Sequence, residues 1–201
     1  MKLRIYLIVA VSAACPSVVA SRPESNEVVK VKRPPQSVML NNRSDTDLRS
    51  ELERNKALIG SGQENRGMMR KLRVELAKRG DKTERERIFA SMRSENLVEQ
   101  SDALEDAALL GDEEAIYHLA EMLNDPSPGG RVTTVAPDGT VIRSSDHAVM
   151  APRMTAALKL SELIENPPVP PIGEDKKFYT DDDVKKWQKW WKKNKKQYGV
   201  E

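Results

Sequence analysis

The chain has 201 residues, of which 32% are charged and only 4% aromatic, so it has room for one ordinary domain with a lean core and extended tails. Its formal charge of +2 comes wholly from Lys2 and Arg4, because beyond residue 20 basic and acidic groups are equal in number. A balanced chain of this kind exerts no global pull toward nucleic acid or anionic lipid, so any such attraction must be local.

Residues 1–20 read as an export signal. Lys2 and Arg4 precede an apolar run from Ile5 to Ala14, and Val18-Val19-Ala20 offers small residues before a cut at Ser21. The run is shorter than the roughly 20 residues that a permanent membrane span needs. The expected address is therefore the periplasm or the medium. Cys15 is the only cysteine. A cut after Ala20 removes it, and with it disulfides, thiolate catalysis and Cys-bound zinc. The alternative is a lipoprotein signal, Ser12-Ala13-Ala14 before an acylated Cys15, which tethers the protein without spanning the bilayer.

Residues 21–44 hold Pro23, Pro34 and Pro35 with scattered charge and no sustained period, the pattern of a disordered linker. Residues 45–95 read as a charged helical segment. Ser44 with Asp47 resembles a capping box ahead of Leu48, Leu52 and Leu58. Gly60-Ser61-Gly62 breaks the pattern. Met68, Met69, Leu72 and Leu76 then mark the face of a second helix, with Gly80 as its stop. Asp81 with Glu84 opens a third, whose inner face is Ile88, Phe89 and Met92. Arg and Glu recur here at spacings of three and four, which suits a solvated, ion-paired surface.

Residues 96–201 carry the clearest architecture. Asn96 and Glu99 cap a helix with a small-residue face of Leu97, Ser101, Leu104, Ala107, Ala108 and Leu110. Gly111 stops it, and Asp112 starts a helix lined by Ala115, Ile116, Leu119, Ala120 and Leu123. Pro126 and Pro128 end that one. From about 131 to 144 the period shortens to two around Ala136-Pro137-Asp138-Gly139, which predicts an inserted β-hairpin. Helix resumes at Pro152 with Met154, Ala157, Leu158, Leu160, Leu163 and Ile164. A connector with Pro167, Pro168, Pro170 and Pro171 leads to a last helix capped by Thr180 and Asp183, with Val184, Trp187, Trp190 and Trp191 on its apolar stripe.

Three stretches carry a family likeness. Leu104-Glu105-Asp106-Ala107-Ala108-Leu109-Leu110-Gly111-Asp112 with the helix through Leu123 resembles a unit of a HEAT-type α-solenoid. Ala156 to Leu163 resembles the start of the next unit, and Asp183 to Trp191 looks like the Trp-rich helix that closes some bacterial HEAT-repeat proteins. The likeness covers residues 97–198 at most and departs from the pattern in two ways. There is only about one and a half units where stacked repeats normally need about three, and a hairpin interrupts them. The expected fold class is mainly α: a short HEAT-like helical repeat or bundle, an inserted hairpin at about 131–144, and a disordered N-terminal segment. The likeness implies partners held on a helical surface and supplies no catalytic residues.

Few residues invite chemistry. His118 sits mid-helix beside Tyr117 and His147 lies past the hairpin; neither has metal-ligand spacing around it. Asp181-Asp182-Asp183 suits helix capping and the macrodipole better than calcium, which needs spaced oxygens and a distal Glu. The reading is therefore not an enzyme, with no cofactor and no metal. Two surfaces are candidates for contact. One is the last helix, where Lys185, Lys186, Lys189, Lys192, Lys193 and Lys196 accompany Trp190. The other is the hairpin, through Pro137, Asp138 and Val141. The function expected is a non-catalytic scaffold or protein-interaction module of the cell envelope, with another protein as partner and no specific nucleic acid. The alternative is anchoring to anionic lipid or a polyanion through the Lys/Trp helix, and the third reading is a hydrolase without a recognisable motif. Oligomeric state is left open.

Overall fold

In the computed structural model the described residues are 31–32, 40, 42–59, 65–135, 141–173 and 178–198, with the backbone alone at 131–135 and 141–148. The signal segment, Cys15, the Gly60-Ser61-Gly62 break and the Pro137-Asp138-Gly139 turn lie outside them. The body consists of α1 (Asp45–Ala57), α2 (Arg66–Lys78), α3 (Lys82–Ser91), α4 (Leu97–Leu110), α5 (Glu113–Glu121), α6 (Pro152–Leu163) and α7 (Asp181–Asn194). Short 3-10 turns, Met122–Asn124 and Lys195–Tyr198, follow α5 and α7.

Local chemistry explains where the helices begin and end. Ser44, Asn65, Asp81, Asn96, Asp112 and Thr180 each accept a backbone N–H of the first turn. The Thr180–Asp183 pair is a full capping box. Three other expected boxes are only half formed: Asp47 takes the Ser44 hydroxyl, and the acids of the other two are drawn elsewhere. Glu99 accepts from the Ser91 and Ser94 hydroxyls, and Glu84 accepts from Arg87. Gly111 closes α4 at φ 65°, in the left-handed region that glycine enters without strain.

Each helix packs on the next, and α4 also packs on both α2 and α6. The apolar stripes form two clusters. Leu40, Leu48, Leu52, Met69, Leu72 and Leu76 join α1 to one face of α2. Val74 and Ala77, on the other face of α2, belong to the larger core with Ile88, Phe89, Leu104, Ile116, Leu119, Leu160 and Trp187. The helix expected to present Ser101 buries Gln100 and Ala103 instead, and the Gln100 amide donates to the Met92 carbonyl and to Asp125.

The fold class expected from sequence needs correction. The chain is mainly helical, and no strand takes part in the helical body. The one strand pairing is a two-stranded antiparallel ribbon beside it, β1 (Gly130–Val135) with β2 (Val141–Val149), not a hairpin confined to 131–144. Its register shifts twice, between Arg131 and Thr133 and between Thr134 and Val135. The alternating pattern reports pairing but not these irregularities, and it ends too early because Ser145 to His147 break the apolar alternation. His147 therefore falls in β2. The N-terminal segment is not simply disordered either. Val31 bridges Ile164, the Lys32 N–H donates to the Leu163 carbonyl at 2.6 Å, and Leu40 is buried against α1 and α2. Arg79 holds this segment by donating to the carbonyls of Leu40 and Arg43. A proline-rich composition predicts the lack of a period, but it does not predict such pins.

Gly129 seats the base of the ribbon. A Cβ there would lie 2.5 Å from the Val149 carbonyl and 2.8 Å from the Ala151 nitrogen, backbone atoms that have no room to yield. Gly129→Ala is expected to lose about 1–3 kcal/mol in urea unfolding. In the same assay Trp187→Ala, at a fully buried position, should lose about 3–5 kcal/mol, and Trp190→Ala clearly less.

Candidate functional site

The last helix docks through its rings. Trp187 and Trp191 are buried, and Trp190 is half-buried between Trp187 and Tyr198, with ring centroids 5.2 and 6.5 Å away. The Trp191 indole N–H donates to Glu121, and Gln188 donates to the Leu123 carbonyl, so α7 is tied to the end of α5. The lysines face outward: Lys185, Lys186, Lys189, Lys192, Lys193 and Lys196 are all exposed. Lys185 pairs with Asp182 and Lys186 with Asp183. Of the three acids read from sequence as cap and dipole residues, Asp183 closes the capping box, while Asp181 pairs with Arg153 and Asp182 with Lys185. Pro137 and Asp138 lie outside the described residues, and Val141 opens β2 with only its backbone described.

Sequence reasoning missed a second surface. A groove with a cavity of about 320 Å³ runs between α2, α3 and α4. Its floor is apolar, made by Met69, Ile88 and Ala103, and its rim carries Ile59 and Val98, which are 60% and 39% exposed. One wall holds Arg66, Arg73 and Arg87, and the other holds Glu99, Asp102 and Asp106. The acids on the second wall have protein partners. Arg70 forks onto Asp102 and Asp106 at 2.6 and 2.8 Å, and Glu99 takes the two serine hydroxyls. Burial holds the Asp106 carboxyl above its ordinary value although Arg70 pulls it down, and Arg70 itself is held fully cationic. On the first wall one buried carboxylate, Glu84, serves Arg87 at 2.8 Å and Arg73 at 3.6 Å, and it lies 3.8 Å from Lys56, whose nearer partner is Glu53 at 2.7 Å. Arg73 and Arg87 therefore outnumber the carboxylate they share. Three arginines at 66, 73 and 87 with an apolar residue between them were visible in the sequence, but only the α2–α3 turn brings them together.

His118 is half-buried and packed among rings. It stacks on Phe89 at 4.1 Å and meets Tyr117 edge-on at 5.2 Å, with Arg85 over the far side of Phe89 at 5.7 Å from the ring centre. Its Nδ1 is buried and has no hydrogen-bond partner among the described residues. Burial, with Arg93 adding to it, lowers its pKa below the ordinary 6.5 against the weaker pull of Glu114 and Glu121. Tyr198, buried at the end of the same row of rings, is pushed up to about 12. Among the described residues no group of three His, Cys, Asp or Glu side chains could hold a metal ion. No helix there is long and apolar enough to cross a membrane.

Compared with protein families, curated proteins and solved structures, the chain matches none. The HEAT-type likeness of residues 97–198 thus rests on the short stretches that suggested it.

The lowered His118 pKa sets a pH dependence. The unfolded chain takes up this proton near pH 6.5 and the folded chain only below that. The stability of the neutral ring is complete above that pH and is lost as pH falls toward the folded value. Thermal melts should show Tm dropping across this window, and His118→Gln should flatten the slope there; an unchanged slope would mean the ring is not the titrating group.

Proposed function

We propose that the protein is a non-catalytic interaction module that holds a segment of a partner polypeptide in the groove between α2, α3 and α4. An apolar side chain of that segment rests on Met69, Ile88 and Ala103, and an acidic group faces Arg73 and Arg87. The reading is carried by one observation: a cavity of about 320 Å³ with the exposed apolar side chains Ile59 and Val98 on its rim, beside a wall where Arg73 and Arg87 share one buried carboxylate, Glu84. Clefts of about 300–1,000 Å³ with an apolar lining and a few placed polar groups are the usual form of a recognition site. The acids of the opposite wall have their hydrogen-bond partners in Arg70, Ser91 and Ser94, and act on the first wall only at longer range, Glu99 on Arg73 and Asp102 on Arg66. The export signal read from residues 1–20 supports a partner in the cell envelope.

The test is a photo-crosslinking residue placed at Val98, on the rim, with Leu109, which is 40% exposed on the same helix, as the control position. Irradiation of cells should give one discrete adduct from position 98 and none from 109. Arg87→Glu should reduce that adduct about tenfold, equivalent to roughly 1.4 kcal/mol of binding. A folded protein that yields no adduct at 98, or yields one indifferent to Arg87→Glu, would refute the groove as the binding site.

A further inference from the structure

The outward side of α7 is a second surface, separate from the groove. Helical periodicity places Lys185, Lys189, Lys192 and Lys196 on one line about 16 Å long, opposite the buried Trp187, with Lys193 on its flank. Lys189, Lys192, Lys193 and Lys196 have no ion-pair partner among the described residues. Between residues 185 and 196 there are seven lysines and neither an arginine nor an acid. Arginine, by contrast, makes most of the pairs between elements: Arg70 with Asp106, Arg79 with Asp45, Arg85 with Asp112, and Arg153 with Asp181. Two partly or largely exposed aromatic groups lie close to the lysines in sequence. Phe178, just ahead of the Thr180 cap, is 67% exposed, the highest value among the large apolar side chains described. Trp190 leaves part of its ring at the surface.

We propose that this face of α7 docks on an anionic phospholipid bilayer, its lysines over the headgroups and Phe178 set into the interface. A lysine is a compact, strongly hydrated charge on a flexible stem, without the planar fork that grips a single phosphate. A row of them suits the diffuse field of a charged membrane, where each basic group near the surface strengthens binding about fivefold. An exposed aromatic beside a basic helix face is the arrangement of an interfacial helix. Single-stranded nucleic acid fits less well. It needs rings aligned along the basic track for the bases to stack on, and along α7 Trp187 and Trp191 are buried in the core.

The experiment is flotation of the full chain with vesicles of phosphatidylcholine alone and of phosphatidylcholine mixed with phosphatidylglycerol. Lys2 and Arg4 beside the apolar run near the N-terminus also favour anionic vesicles, so the lysine face is read from the part of the difference that the four lysine substitutions remove. Anionic vesicles should retain the protein much better, and the excess should fall as salt rises through the physiological range. Replacing Lys189, Lys192, Lys193 and Lys196 together by Gln should cut the excess by about a hundredfold or more, with helicity by circular dichroism unchanged. Phe178→Ala should weaken the binding that persists at high salt. Equal retention on the two vesicle types, or an excess insensitive to salt or to the four substitutions, would overturn the proposal. So would capture by single-stranded RNA with no retention on vesicles. The salt series on the unaltered protein tests the claim even where a variant misfolds.

Discussion

Helices α4, α5 and α6 meet across alanines, and that close approach sets the rest of the structure. Ala103, Ala107 and Ala108 on α4, Ala115 and Ala120 on α5, and Ala156 and Ala157 on α6 are all buried. A methyl group at a crossing lets axes come to the short end of the usual 8–10 Å. Leu104, Ile116, Leu119 and Leu160 fill the space on either side, each contributing about 1.5–3 kcal/mol by burial. A body packed this tightly has little room for rings, and the rings gather at its edge instead. Phe89, His118, Tyr117, Trp191, Tyr198, Trp190 and Trp187 form one unbroken row of contacts from α3 through α5 to α7. The proline connector places α7 there, secured by Val169 in the core and by the Tyr179 hydroxyl donating to the Pro170 carbonyl. Large aromatic surfaces then supply the adhesion that small alanines cannot.

Charge follows a similar division. Arginines bridge separate elements and are mostly shielded, as where Arg79 joins α2 to the N-terminal segment and Arg85 joins α3 to the start of α5. A planar fork reaching several acceptors makes such bridges worth more than exposed single pairs. The lysines of α7 reach at most the acids of their own first turn. The balance of charge beyond residue 20 conceals this arrangement, because the compensating acids are used inside the arginine network and leave the α7 lysines uncompensated where they stand.

Much of the helical body was legible in the sequence because its signals are local. Ser44, Asp81, Asn96, Asp112, Thr180, Gly80 and Gly111 mark ends through side chains or backbone angles that act within a turn. What escaped depends on distant partners. The pin of Lys32 on Leu163, the burial of Leu40 and the stacking of His118 on Phe89 each join residues far apart in the chain. Ribbon length and register escaped for a related reason: alternation is blind to bulges, which leave the polarity of a strand unchanged while shifting its pairing. Of the candidate surfaces, the lysine face was readable because one helix carries all of it. The groove was not, since its walls come from three helices and its charge imbalance exists only once Glu84 is shared.

The groove itself follows from the difference between two helix contacts. Where α4 meets α6, alanines let the backbones close up and leave no opening. Where α2 meets α4, Arg70 stands between them, with its guanidinium on Asp102 and Asp106. An extended arginine keeps axes further apart than a methyl group does. The pair also cannot collapse, because Asp106 is buried and would lose its only charge partner there. Meanwhile α2 is drawn the other way, since Met69, Leu72 and Leu76 pack toward α1. Held by a charged strut on one side and an apolar cluster on the other, α2 leaves a cavity beside Ile88 and Ala103, with Ile59 and Val98 exposed at its rim. The opening is thus a consequence of how the body packs, present before any partner arrives, and a ligand entering it spends none of its binding energy on prying helices apart.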